Sequence, residues 1–124
     1  MIMDGREELI RKLNNAFADC DTKFLSDNVT DDIQWKIIGE KTISGRKEFE
    51  KSLNRMKTGG PMDITVQDII SFKEKSVVEG IVEFMVEPGK KRKYAFCDIY
   101  TFSTTNENKI VELRTYIKQI KKYK

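Results

Sequence analysis

The sequence predicts an α+β domain in which helices cover one face of a curved antiparallel sheet. Three observations lead there. Apolar residues recur at helical spacing in the first part of the chain, up to about Met56. Beyond the breaker Lys57-Thr-Gly-Gly-Pro61 they alternate every second residue in long runs. The order is then helix, helix, strand, helix and three or four long strands, which segregates the helices to one face of the sheet. No repeat or linker interrupts the 124 residues, so residues 1–124 read as a single domain.

The first helix runs from Asp4 to about Asp19. Asp4 at its start and Glu7 three residues on resemble a capping box. Leu9, Ile10, Leu13, Ala16 and Phe17 form its apolar stripe. Asp21 caps a short second helical turn carrying Phe24 and Leu25. Val29 to Ile38 is a strand ending at Gly39, because Ile33, Trp35 and Ile37 alternate with Gln34, Lys36 and Ile38. Trp35 either packs in the core or lines a ligand cavity, and its indole N–H needs a partner if buried. Ser44 and Gly45 lead into a third helix, with Phe49, Leu53 and Met56 on its buried side.

The remaining runs are strands. Met62 to Lys73 places Met62, Ile64, Val66, Ile70 and Phe72 on one face, with Asp68 intruding. Ser76 to Glu87 follows, and Glu87-Pro-Gly-Lys-Lys-Arg92 makes a turn. The strand Tyr94 to Phe102 comes next, with a turn at Thr105-Asn-Glu-Asn108. The last strand, Lys109 to Ile120, alternates Val111, Leu113, Thr115 and Ile117 against Glu112, Arg114, Tyr116 and Lys118.

Composition removes several function classes. Hydrophobic residues are 39% and charged residues 35%, which suits a globular domain rather than a disordered one. The net charge of +3 is too small to argue for nucleic acid. Lys90 to Lys93 and the group Lys118, Lys121, Lys122 and Lys124 read as a solvated hairpin tip and tail. No transmembrane run or signal peptide is present, so no membrane partner is expected and the location is taken as cytoplasmic. Cys20 and Cys97 form no C-x-x-C motif, and Cys97 reads as a small buried hydrophobe. Histidine is absent, which removes the Ser/His/Asp and Cys/His nucleophile arrangements and most transition-metal sites. Phosphate-binding glycine loops are missing too. No cofactor or metal is expected, and chemistry falls to carboxylates, tyrosines, lysines, amides and backbone groups.

One acid stands out. Asp98 shares a strand face with Tyr94, Phe96, Tyr100 and Phe102. A carboxylate among aromatics is costly unless it is partnered, protonated or used. Two readings remain open: a buried acid satisfied by a backbone N–H or a tyrosine hydroxyl, or a pocket acid that touches a ligand. The hairpin at Pro88-Gly89 decides what faces it. An even-length loop puts Glu79, Ile81, Glu83 and Met85 on Asp98's face; an odd one puts Val78, Gly80, Val82 and Phe84 there. The even case is adopted, because it leaves valines on the other face. It would bring Glu79 near Asp98 as a carboxyl pair with separated pKa values.

The chain resembles the NTF2-like superfamily, the cystatin-like cone fold shared by nuclear transport factor 2, ketosteroid isomerase and SnoaL-like polyketide cyclases. Three stretches carry the resemblance: Asp31-Asp32-Ile33-Gln34-Trp35 through Gly39; Ile43-Ser-Gly-Arg46 with Phe49; and Cys97-Asp98-Ile99-Tyr100-Thr101-Phe102 followed by Asn108-Lys109-Ile110-Val111-Glu112. The resemblance implies a pocket between three N-terminal helices and the concave sheet face, and a homodimer through the convex face, where Arg114 and Tyr116 would lie. It places Asp98 where ketosteroid isomerases keep a protonated acid in the oxyanion hole. That enzyme's base falls near Lys36 and its oxyanion tyrosine near Leu13, so a steroid isomerase is not implied. SnoaL-like cyclases are similar in using an acidic residue as acid/base.

The resulting candidate site is Asp98 as the catalytic residue, with Trp35, Glu79, Phe96 and Tyr100 around a small apolar molecule. Three functions are compatible with it. The first is an acid/base isomerase, cyclase or hydrolase; the second is a non-catalytic ligand-binding module; the third is a protein-interaction dimer.

Overall fold

In the computed structural model of the chain, residues 5–106 and 109–121 are described; Asp4, Asn108, Lys122 and Lys124 lie outside them. The elements are α1 (Gly5–Asp19), α2 (Thr22–Asp27), β1 (Val29–Ile37), β2 (Lys41–Ser44), α3 (Arg46–Lys57), β3 (Asp63–Phe72), β4 (Lys75–Glu87), β5 (Lys90–Phe102) and β6 (Ile110–Gln119). The six strands form one curved, unclosed sheet in the order β2-β1-β6-β5-β4-β3. This is the α+β architecture predicted, with three helices on one face. No described helix is long and apolar enough to cross a membrane.

The helical stripes pack as their spacing dictates. Ile10, Leu13 and Ala16 of α1 are buried, with Leu9 and Phe17 packed partly exposed against the core. Asp21 caps α2 by accepting from the Phe24 N–H at 3.1 Å. Gly45, at a positive φ of 87°, turns the chain into α3. Arg46 follows it, pairing with Asp31 at 2.7 Å and donating to the Val29 carbonyl. That arginine ties the start of α3 to the start of β1. Phe49 and Leu53 of α3 are buried, and the Trp35 and Phe49 rings meet edge-on at 5.6 Å.

Two features of the sheet depart from expectation. The sequence marks no strand between Gly39 and the helix start at Ser44-Gly45, yet β2 lies there and pairs with β1 from Gln34↔Ser44 to Ile37↔Lys41. The sheet is also not antiparallel throughout, since β1 and β6 run parallel. No hairpin joins these two strands. The meander β3 to β6 starts at the far edge after α3 and reaches β1 from the other side, so tight-turn geometry does not set their relative direction.

Two bulges reset which residues face the helices. In β3 the register slips between Val66 and Asp68. Ile64 and Val66 therefore turn inward together with Ile69, whereas Ile70 and Phe72, predicted to share their face, are 66% and 73% exposed. In β4 the register slips between Met85 and Glu87. The loop at Pro88-Gly89 has the even length adopted from the sequence, since Glu87 pairs with Lys90. The extra residue, Val86, then flips the parity. Val78 lies opposite Asp98, and Glu79 lies opposite Cys97 on the other face. The expected approach of Glu79 to Asp98 is therefore corrected, as is the facing set Glu79, Ile81, Glu83 and Met85. The inward set is Val78, Gly80, Val82 and Phe84.

Gly80 marks the point where β3 crowds β4. A Cβ there would lie 2.2 Å from the Thr65 carbonyl oxygen and 3.0 Å from the Phe96 ring. Phe96 occupies the space that a side chain at position 80 would take. The sheet thus trades one side chain on β4 for a large aromatic on β5, and this seats the inner wall of the cavity.

Candidate functional site

A half-enclosed cavity of about 100 Å³ lies between the helices and the inner sheet face. The sheet supplies Trp35 from β1, Phe96 and Asp98 from β5, and Thr115 from β6; the helices supply Asn14, Phe17 and Met56. Pairing explains why the polar members converge. Asp98 lies directly across from Thr115 in the β5–β6 ladder, and Trp35 precedes the pair Lys36↔Arg114 in the β1–β6 ladder. Neighbouring strands therefore bring an indole, a hydroxyl and a carboxyl into one row.

The row is hydrogen-bonded with a fixed direction. The Trp35 Nε1–H donates to Thr115 Oγ1 at 2.9 Å. The Thr115 hydroxyl keeps its own proton and stands across the β5–β6 ladder from Asp98, where its hydrogen-bonding influence pulls the carboxyl pKa down. Asp98 Oδ1 is buried and finds no hydrogen-bond partner among the described residues. Burial pushes the Asp98 pKa up to about 7, with the Thr115 hydrogen bond holding it lower than burial alone would. Asp98 as a whole residue keeps partial exposure, but the carboxyl is what titrates, and its desolvation governs. Of the two readings of this acid, neither of the expected partners satisfies it; a threonine does so in part.

Among the described lining residues, Asp98 is the only ionisable one. Its carboxyl holds both protonation states in useful amounts near neutral pH, so it can donate or accept a proton there.

The other expected site residues divide. Trp35 and Phe96 line the cavity. Tyr100 does not: it is fully buried beneath, beside a void of about 10 Å³ lined by core residues such as Phe17, Leu25 and Leu113. Its hydroxyl has no partner among the described residues, and burial, then the charge of Asp98, raise its pKa well above the usual phenol value. Glu79 lines a shallow groove on the outer face with Cys97 and Tyr116. Lys36 is on the outer face too, paired with Glu112 at 3.0 Å, and Leu13 is core.

Two cavity residues escaped the sequence reading. Asn14 is 3% exposed and donates from Nδ2 to the Ile10 carbonyl at 2.9 Å. It sits one helical turn from both Ile10 and Phe17, a polar residue on the apolar stripe. Thr115 interrupts the apolar run Leu113, Ile117 in the same way. In both cases the signal was a polar residue at a core-facing position.

Solved structures share this fold. An NTF2-like protein of unknown function from Cytophaga hutchinsonii superposes with a TM-score of 0.74 at 24% identity, covering 92% of this chain and all of that one. An epoxide hydrolase from M. tuberculosis, described as LEH-like, gives 0.78 at 16% identity, with 90% and 80% covered. The epoxide hydrolase/cyclase-like enzyme SalBIII, with a role in pyran ring formation in salinomycin, gives 0.80 at 17%, with 91% and 90% covered. These define an NTF2-like fold. The family model of the SnoaL-like domain matches residues 10–113, and the chain belongs to that family. No curated protein matches it by sequence.

Proposed function

We propose that the chain is a small-molecule acid/base enzyme, an isomerase, cyclase or hydrolase acting on an apolar substrate with Asp98 as the proton donor and acceptor. The observation that carries this is the Asp98 carboxyl, poised near pH 7 on the wall of a largely apolar cavity. Trp35 and Phe96 shape the cavity, and Thr115 fixes the carboxyl. The epoxide-hydrolase and cyclase descriptions of two structural neighbours support chemistry on an oxygenated, apolar compound.

The test is a panel of small ketones and epoxides incubated with the protein in deuterated water and followed by NMR. Solvent deuterium incorporation or ring opening by the wild type, lost in a folded Asp98→Asn variant, supports the reading. Equal turnover by both proteins removes it. One observation favours a second, non-catalytic reading: no second ionisable group lines the cavity among the described residues. Binding without turnover would select it.

We also propose that a second copy covers the outer sheet face. Ile70, Phe72 and Tyr116 are exposed there, and alternation puts Val77, Ile81 and Ile99 between them. Sedimentation equilibrium reporting only monomer at micromolar concentration would rule this out.

A further inference from the structure

The dimensions and polarity of the cavity specify its ligand more closely than the fold does. Resting on the reading of Asp98 given above, we infer that the site takes an uncharged molecule of one small ring or a short branched chain, bearing a single hydrogen-bond-accepting oxygen. Ketones, epoxides and cyclic ethers of this size are the class.

Size comes from the volume. An apolar protein cavity of about 150 Å³ takes one benzene ring. This cavity offers about 100 Å³, with Met56 and Met62 on its wall. A single small ring therefore fits with part of it in the mouth, whereas a fused pair of rings overfills the volume and presses on the methionine side chains of the wall. Methionine can yield, because its side chain is unbranched and flexible, but yielding gives up packing contacts.

Charge comes from the lining. Among the described lining residues no side chain is cationic, so a carboxylate or phosphate ligand would lie beside Asp98 with none of them to neutralise it. A cationic amine has a better case, since it would meet a carboxylate and the rings of Phe17, Trp35 and Phe96. It fails on desolvation: an ammonium and the Asp98 carboxylate would both have to be held charged in a cavity whose described lining is otherwise apolar but for Asn14 and Thr115, and stripping water from both ions offsets their attraction. A polyol fails because its several hydroxyls would meet only those three polar side chains. A lone acceptor oxygen is matched by the proton that the Asp98 carboxyl holds in its neutral form.

Four probes separate these classes: cyclohexanone, 2-decalone, cyclohexylamine and cyclohexanecarboxylate. Each is titrated into the full chain at pH 6.5, with dissociation constants read from amide chemical shifts at Asn14, Asp98 and Thr115. Cyclohexanone is expected to bind at least tenfold more tightly than each of the other three. Asp98→Ala should weaken cyclohexanone at least tenfold. Met62→Ala should narrow the gap between 2-decalone and cyclohexanone at least fivefold, and it reads the size argument even if the Asp98 variant does not fold. Amine or carboxylate binding as tight as the ketone, equal affinity for one and two rings, or no binding of cyclohexanone would overturn the inference. The expected ranking without turnover leaves the ligand class standing and sinks the enzyme reading. Turnover of a charged or fused-ring compound does the reverse.

Discussion

Replacing Asp98 with asparagine gives a stability difference whose size and pH dependence follow from the site. In the folded chain Asp98 holds its proton up to about pH 7, because the carboxyl is desolvated. In the unfolded chain the same group releases its proton near the ordinary value of about 3.9. Between those pH values the folded state binds more protons than the unfolded state. Wild-type stability from this group is therefore intact below about pH 4 and falls as pH rises, by ~1.4 kcal/mol per unit. The full loss by pH 8 is on the order of 4 kcal/mol. An amide does not titrate, so Asp98→Asn should gain on the wild type by about that amount between pH 4 and pH 8. Subtracting the two proteins cancels titrations elsewhere that the substitution leaves alone. The assay is urea unfolding at several pH values, followed by the fluorescence of Trp35, the single tryptophan. A difference that stays flat with pH would refute the buried-acid account. A difference of opposite sign, with the wild type gaining as pH rises, would mean that the carboxylate is stabilised as an ion.

Three further predictions follow from neighbouring contacts. Thr115→Val removes the acceptor of the Trp35 N–H and the donor to Asp98; it should cost about 1–3 kcal/mol in urea unfolding and move the Asp98 titration to still higher pH. Gly80→Ala drives a methyl into the Thr65 carbonyl and the Phe96 ring; a loss of about 1–3 kcal/mol, roughly 4 °C per kcal/mol in a thermal melt, is expected, and an unchanged melt would contradict the close approach of β3 and β4. Phe72→Ser changes a side chain that is 73% exposed, so monomer stability should stay within about 0.5 kcal/mol, while self-association measured by sedimentation should weaken.

Much of the fold was legible because it rests on period and order. Helical stripes, the breaker at Lys57–Pro61 and the alternating runs are local signals, and each maps onto an element. Asp98 was legible as an inward-facing acid, and it does line the cavity, because a charged residue on an aromatic face has few explanations. What faces it was not legible. Register depends on bulges at Gln67 and Val86, and a one-residue bulge inverts every later position of its strand. Nothing in Glu83-Phe-Met-Val-Glu87 marks Val86 as the extra residue, so counting the loop alone gave Glu79 the wrong face. Gly80 did carry a signal, since glycine inside a strand indicates close backbone approach. The parallel seam between β1 and β6 joins residues some 80 positions apart, beyond the reach of local pattern. Tyr100 was misplaced for a subtler reason. It shares Asp98's face, but the cavity ends above it, and alternation sets the face of a residue without its depth.

The central claim is that Asp98 is a desolvated acid able to give and take a proton near neutral pH. Its carboxyl carbon, observed by carbon-13 NMR across pH 3 to 9 in the intact protein, reports this directly. The account predicts a single titration with a midpoint of about 7, absent from the Asp98→Asn spectrum. A midpoint near the ordinary carboxyl value of about 3.9 would show a solvated or ion-paired group and would contradict the claim.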